Sequence, residues 1–543
     1  MADSRWTGGV GARKRRLPGR CRPEVGSVSS PAALKSQNTL GAVDVSTMTR
    51  ELFMIDKKPV HPRHASGPAS GPARATASAG ILALGAIFLL SGSLGMPAAA
   101  RADPGLAQRI DAGIAPYFRP DAPGATVLVA RDGKTVFRKA YGRADLETGR
   151  ALEPGTVLRI GSLTKQFTAA AILLLAEQGR LSLDDDFRKF LPHYRDPGGT
   201  ITLEHLLTHT SGIPSYTDLP GYIDGMARDM TVAQMIASFQ DAPRLFEPGT
   251  RFAYSNSGYF LLGAVIEKVS GRSYADFVAQ NIFAPLDMRC SAYEGHARHK
   301  VAQARGYRAV AGKFGPHAPL SMTQPYAAGS LVSCVDDLAR WDAAITAGRL
   351  LKPASWARAF TPHKPGGGAP DGHGHGHGHG YGWAMGALKG SPTIGHGGGI
   401  NGFSSYAMRL PQEQVYVAVL LNSESGVADP ALIAHTAAGI AIGKPLGGAG
   451  PAAPAPLAPA VFDAYVGKYA LAPGFVIEIL RDGGRYLAKT NDEEPVEMFP
   501  RSDTLFYSTT VEAQLRFERG ADGAAGRLIL MQGGREMPGN RLE

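Results

Sequence analysis

The chain has 543 residues, too many for one compact core, so two or more domains are expected. Its formal charge of +10 sits at the front: through Ala102 there are 14 Lys+Arg and 5 Asp+Glu, which leaves 43 against 42 for everything after. The basic charge belongs to a leader, so it does not mark a folded nucleic-acid-binding face, and no nucleic-acid partner is expected.

Residues 1–74 are rich in Arg, Pro, Ser and Gly, with the run Arg13-Lys-Arg-Arg16, and lack periodicity; they read as a disordered basic leader. From Ala75 to Ala100 there is no charge, and the core Ile81-Leu-Ala-Leu-Gly-Ala-Ile-Phe-Leu-Leu90 is strongly apolar. Ala98-Ala-Ala-Arg-Ala102 then resembles an A-x-A cleavage site. Residues 75–102 therefore read as an export signal cut after Ala102, and the protein as periplasmic or extracellular in a bacterium. The alternative is an uncleaved membrane anchor at residues 77–97, although the apolar core falls short of the about 20 residues that a span needs. Met48 is an alternative start. Cys290 and Cys334 remain after the signal, as a disulfide pair or as two buried thiols. No C-x-x-C spacing points to zinc.

After the signal, Thr126-Val-Leu-Val129 and Thr135-Val-Phe-Arg138 flank Asp132-Gly133, a hairpin pattern. Next comes Leu158-Arg-Ile-Gly-Ser162-Leu-Thr-Lys165, where a short β-like run ends and a helix apolar nearly all round begins. Ser162 is placed to cap that helix, and Lys165 lies one turn on, on the same face. A serine becomes a nucleophile when a base is held against it, and a desolvated amine can serve. His205 and His209 have i,i+4 spacing, but without an H-E-x-x-H pattern or a third ligand they read as loop residues rather than metal ligands. In Phe252-Ala-Tyr254-Ser-Asn256, a tyrosine precedes a helix pattern that begins at Phe260. Near a lysine, a phenol is expected to shift toward its ionised form and act as general acid or base. Asn256 is placed to bind a substrate amide or to fix Lys165. The repeat from Asp371 to Gly380 alternates Gly and His and reads as an expanded surface loop. His396-Gly397-Gly398-Gly399 precedes two strand patterns; such glycines let a substrate backbone approach and can offer N–H groups to an oxyanion. Residues 447–460 are a Pro/Ala/Gly linker, and 461–543 alternate short strands and turns, as in a small antiparallel barrel.

Ser162-x-x-Lys165, Tyr254-x-Asn256 and His396-Gly-Gly, in that order, resemble the serine β-lactamase and penicillin-binding superfamily. The closest branch holds class C β-lactamases, D-alanyl-D-alanine carboxypeptidases, D-aminopeptidases and esterases. Leu207-Thr-His-Thr-Ser-Gly-Ile-Pro214, Pro285-Leu-Asp-Met288 and Gly329-Ser-Leu-Val-Ser333 support the resemblance, which runs over about residues 104–444. It implies an α+β fold for residues 103–446, an antiparallel sheet flanked by helices with a helical subdomain. It also implies a cofactor-free serine hydrolase acting on a small-molecule or peptide amide or ester. Ser162 would form an acyl-enzyme, Lys165 and Tyr254 would share the proton transfers, and the N–H groups of Ser162 and Gly399 would bind the oxyanion. His396, Gly397, Gly398 and Asn256 would contact substrate. Where β-lactamases carry Lys-Thr-Gly this chain has His396-Gly397-Gly398, which argues against strong β-lactamase activity. A penicillin-binding peptidase or sensor that turns over slowly, or a true β-lactamase, is the alternative. An α/β-hydrolase is disfavoured because no G-x-S-x-G elbow is present.

Overall fold

The computed structural model of the chain describes residues 105–542, apart from 196–197, 297–301, 311–312, 364–377, 428, 447–455, 473–474, 492–494, 509–512, 521–524 and 533–534. The leader 1–74 and the signal or anchor segment 75–102 lie outside the described residues. Among the described residues, no helix is long and apolar enough to cross a membrane.

The expected hairpin forms β1 (Ala125–Arg131) and β2 (Lys134–Tyr141). Asp132 and Gly133 both take positive φ, 51° and 71°, as a two-residue turn matched to strand twist requires. Four strands from much later in the chain join them: β3 (Ala384–Leu388), β4 (Ser391–Ile400), β5 (Phe403–Leu410) and β6 (Val415–Leu421). The antiparallel order is β3-β4-β5-β6-β1-β2, so β6 lies between β5 and the N-terminal hairpin.

The period-two rule of strands divides the core. Val127, Val129, Val417 and Val419 face helix α1 (Leu106–Ile114) and the late helix Pro430–Ala441, where they meet Ile110, Ile114, Ile433 and Ala437. Leu128, Ala418 and Leu420 face the opposite way, into the larger helical core. Its centre is α2 (Thr164–Glu177), buried along almost its whole length, as its all-round apolar sequence requires. Phe167 of α2 packs 4.7 Å, centroid to centroid, from Trp341, whose indole Nε1 donates to Gln166 Oε1. Full burial of side chains of this size is worth roughly 1.5–3 kcal/mol each, which makes α2 a rigid support for the residues at its start.

In the C-terminal part, eight antiparallel strands from Gly467–Ala472 to Arg535–Arg541 close into a barrel, the last pairing with the first through Tyr469 and Arg541. Tyr469, Ile477, Phe506, Phe517 and Leu528 fill it, together with Phe462 from a short helix, Pro459–Asp463. That helix starts inside the stretch expected as linker. The α+β class and the C-terminal antiparallel barrel are both as expected. Three barrel strands lack an apolar alternation in the sequence: Gly467–Ala472, Val496–Pro500 and the Pro- and Gly-containing Arg535–Arg541.

Candidate active site

Short strand Leu158–Arg159 pairs with Leu331–Ser333, and the chain then turns at Gly161, whose φ is +50°. Residues Gly161–Leu163 form a 3-10 turn before α2 starts at Thr164. Ser162 therefore does not cap the helix: it lies inside the turn, and no side chain caps either start. Its hydroxyl faces Lys165 and Tyr254 instead. The glycines of β4 press against this turn. A Cβ on Gly398 would stand 2.2 Å from Ile160 O and 2.4 Å from Ser405 Oγ. A Cβ on Gly161 would meet the Gly399 amide nitrogen at 3.1 Å. The Ser405 hydroxyl donates to Ile160 O at 2.9 Å and ties β5 to the same turn. On β4, β3 pairs with Ser391–Gly395, so residues His396–Ile400 run past its end. A Cβ on Gly399 would meet nothing within 4 Å.

Lys165 is completely buried. Its Nζ lies 2.9 Å from Ser162 Oγ, 2.8 Å from Asn256 Oδ1 and 2.9 Å from Ala328 O. No carboxylate is among these partners, and burial pushes its pKa well below the ordinary lysine value. The neutral amine has two N–H donors and one lone pair. Asn256 Oδ1 and Ala328 O can only accept, so both donors go to them. The lone pair is then left facing the Ser162 hydroxyl, in position to take its proton. The Asn256 amide is oriented by Nδ2 donating to Thr217 Oγ1 at 3.4 Å.

The Tyr254 phenol hydrogen-bonds Ser162, and burial raises its pKa while that bond lowers it, for a net rise. The expected shift toward phenolate does not occur: desolvation of the buried phenol outweighs the hydrogen bond from Ser162. Helix α3 (Leu203–Leu207) and helix α4 (Asn256–Ser270) frame this side. α4 starts at Asn256, four residues earlier than its apolar pattern indicates, because Ser255 caps it by accepting from Gly258 N. His205 belongs to α3 rather than a loop: it closes a capping box with Thr202. His209, just beyond, has φ +58°, accepts from Ser255 N at 3.0 Å through Nδ1, and stacks on Tyr254 at 4.4 Å. The His396 ring lies 6.1 Å from that of Tyr254, and its Nδ1 is 2.5 Å from Gly397 O. A carbonyl can only accept, so Nδ1 carries the proton.

A family model described as Beta-lactamase matches residues 106–441. The chain belongs to the beta-lactamase family. It is a serine hydrolase of that family's peptidase, esterase and β-lactamase type. Penicillin-binding protein 4* of Bacillus subtilis (strain 168) is 28% identical over 437 residues, which span 76% of this chain and 93% of that protein. Among solved structures, the octameric penicillin-binding protein homologue from Pyrococcus abyssi is similar with TM-score 0.58 and 29% identity, covering 80% of this chain and 99% of that one. A D-stereospecific amidohydrolase from Streptomyces sp. gives TM-score 0.51 and 29% identity, over 61% and 96%.

Within this beta-lactamase-family fold, Ser162, Lys165, Tyr254 and Asn256 converge, and Gly398 and Gly399 abut their turn. Two residues read as loop or insertion also stand here. His209 supports Tyr254 and the α4 cap. His379, the last histidine of the Gly-His repeat, is buried, stacked on Phe252 at 4.8 Å and 6.1 Å from the His396 ring. The surface-loop reading of the repeat is therefore corrected at its end; His373, His375 and His377 lie outside the described residues. Next to it, Gly382 at φ +80° lets the chain pass against the start of α2, where a Cβ would be 2.7 Å from Lys165 O.

Proposed function

We propose that this serine hydrolase is exported and cleaves a small amide or ester through a Ser162 acyl-enzyme. The observation that carries the reading is the buried Lys165 amine, held within 2.9 Å of Asn256 Oδ1, Ala328 O and Ser162 Oγ, so that its neutral form, donating to the first two, turns its lone pair to Ser162. Lys165 takes the Ser162 proton as Oγ adds to the substrate carbonyl, a contribution of about 10²–10⁴-fold for a general base. The Ser162 and Gly399 N–H groups receive the oxyanion; one such donor is typically worth about 10²–10³-fold. The Tyr254 phenol, protonated because its pKa is raised, gives its proton to the departing amine or alkoxide. The proton held on Lys165 then returns to the Tyr254 phenolate, so that both groups regain their starting states before deacylation. Water then attacks the ester, and acid is released with Ser162 regenerated. Substrate lies along His396–Ile400, where β3 no longer covers the strand.

The relatives whose names describe penicillin-binding proteins favour a second reading, in which acylation is followed by slow turnover. The D-stereospecific amidohydrolase supports turnover of a D-amino-acid amide. A panel of nitrophenyl esters, D- and L-amino-acid amides, D-Ala-D-Ala peptides and nitrocefin separates them. Multiple turnovers on an ester or amide, lost at least about 10³-fold in Ser162→Ala, are expected. A single burst without turnover on every substrate supports the second reading, and Ser162→Ala activity within tenfold of the unchanged protein refutes the first. Export rests on the composition of residues 75–102; an N-terminus beginning at Asp103 in protein recovered from the cell envelope is the expected result.

A further inference from the structure

Short strand Ala292–Tyr293 is antiparallel to Leu331–Ser333, with Ala292 opposite Val332 and Tyr293 opposite Leu331. The Ser291 and Ser333 hydroxyls, 2.8 Å apart, extend that register by one residue. One further step sets Cys290 opposite Cys334, which stands immediately before helix α5 (Val335–Thr346). Directly opposed residues of an antiparallel pair have Cα atoms about 4.5–5.5 Å apart, inside the range that a disulfide spans. The two sulfurs lie within 4.8 Å of each other. Cys334 is fully buried, and Cys290 is partly exposed.

From this cross-strand placement we propose that Cys290 and Cys334 form a dithiol that closes to an intramolecular disulfide on exchange with a low-molecular-weight disulfide. Asp337 also approaches both sulfurs, but its carboxylate is committed. One oxygen accepts from Cys290 N at 2.6 Å and Ser291 Oγ at 2.9 Å, and the other from Arg340 at 2.7 Å. The sulfurs are thus the reactive pair, and the carboxylate holds the Cys290 backbone beside α5. Cys290 reacts first because solvent reaches it, and the hydrogen bond from the Cys334 thiol favours its thiolate. It attacks one sulfur of the small disulfide RSSR, forming a Cys290–SR mixed disulfide and releasing RS⁻. Cys334 then attacks the Cys290 sulfur, the Cys290–SR bond breaks, and the second RS⁻ leaves. The two thiol protons pass to the released thiolates, so two cysteines are oxidised and RSSR is reduced to two RSH.

The bridge would close a loop from residue 290 to 334, a loop that contains Ala328, whose carbonyl accepts from Lys165. It would also fix the strand that pairs with Leu158–Arg159 ahead of Ser162. The active-site support would thereby be locked in place.

The test treats the reduced full chain with oxidised glutathione and maps its tryptic peptides without reduction. The expected product joins residues 290–298 to residues 314–340, with both thiols lost. Loop closure of this length is expected to raise the melting temperature by about 5 °C, and the rise should be absent in Cys290→Ser and Cys334→Ser. Cys334→Ser should instead retain glutathione on Cys290. A stable glutathione adduct on Cys290 of the unchanged chain, a link through Cys21, a dimer, or two unreacted thiols would each overturn the proposal.

Discussion

Gly398→Ala is expected to disable the site from the strand side. The added Cβ would stand 2.2 Å from Ile160 O and 2.4 Å from Ser405 Oγ, whereas ordinary contact begins at 3.4 Å. Ile160 O belongs to the backbone just before the Ser162 turn, so it cannot rotate away as a side chain would. β4 must therefore retreat from the turn by about 1 Å, and a misplacement of that size can cost about 10²-fold in rate. Overpacking of this kind also destabilises by about 1–3 kcal/mol. Gly399→Ala is the control next door: its Cβ meets nothing within 4 Å, so the fold should tolerate it. The assay is kcat/KM on a nitrophenyl ester together with a thermal melt. Gly398→Ala should lose about 10²-fold in kcat/KM and melt several degrees lower, while Gly399→Ala melts with the unchanged protein. If Gly398→Ala kept activity within about threefold and melted normally, the packing of β4 on the Ser162 turn would be wrong.

Lys165 gives a pH signature. Its neutral form is the base, and burial holds its pKa well below the ordinary lysine value, so kcat/KM should rise with pH and level off before that value is reached. For stability, the unfolded chain binds one more proton than the folded one between the depressed and ordinary values. Stability therefore rises with pH across that window, and Lys165→Met should remove this slope along with activity. An activity rise centred on the ordinary lysine value would contradict it. Glu294→Gln addresses the support of the same turn. Arg159 and Glu294 meet through two contacts of 2.7 Å, with side chains only 11% and 18% exposed. Leaving one such charge unpaired should cost about 3 kcal/mol in denaturant unfolding, with much of it recovered by making Arg159→Met as well; a cost under about 1 kcal/mol would show that solvent screens the pair.

The parts of the site carried by local chemistry were legible in the sequence. Ser162 and Lys165 stand one turn apart at the start of a helix whose all-round apolar character already required burial, and the structure buries Lys165 with it. The glycines of β4 signalled close backbone approach, and Gly398 meets Ile160. What depends on contacts between distant segments was not legible. Nothing near Tyr254 indicated that its phenol would be buried, and that burial reverses the expected direction of its shift. The start of α4 was misplaced because the apolar run begins at Phe260, while the cap that fixes the start is a single hydroxyl, Ser255. His379 looked like one more unit of a repeat, and only tertiary packing against Phe252 distinguishes it from its neighbours in sequence. The closing barrel strand Arg535–Arg541 is polar and contains Pro538 and Gly539; its pairing to Gly467–Ala472 comes from barrel closure rather than from its own pattern.

The central claim is that Ser162 is the atom-bearing nucleophile, and covalent trapping tests it most directly. The full chain is incubated with benzylpenicillin or a slowly released acylating ester, quenched in acid, and digested with trypsin. The added acyl mass should reside on Ile160-Gly-Ser162-Leu-Thr-Lys165, with fragmentation placing it on Ser162, and Ser162→Ala should carry none. An acyl group on any other residue, or equal labelling of Ser162→Ala, would contradict the account.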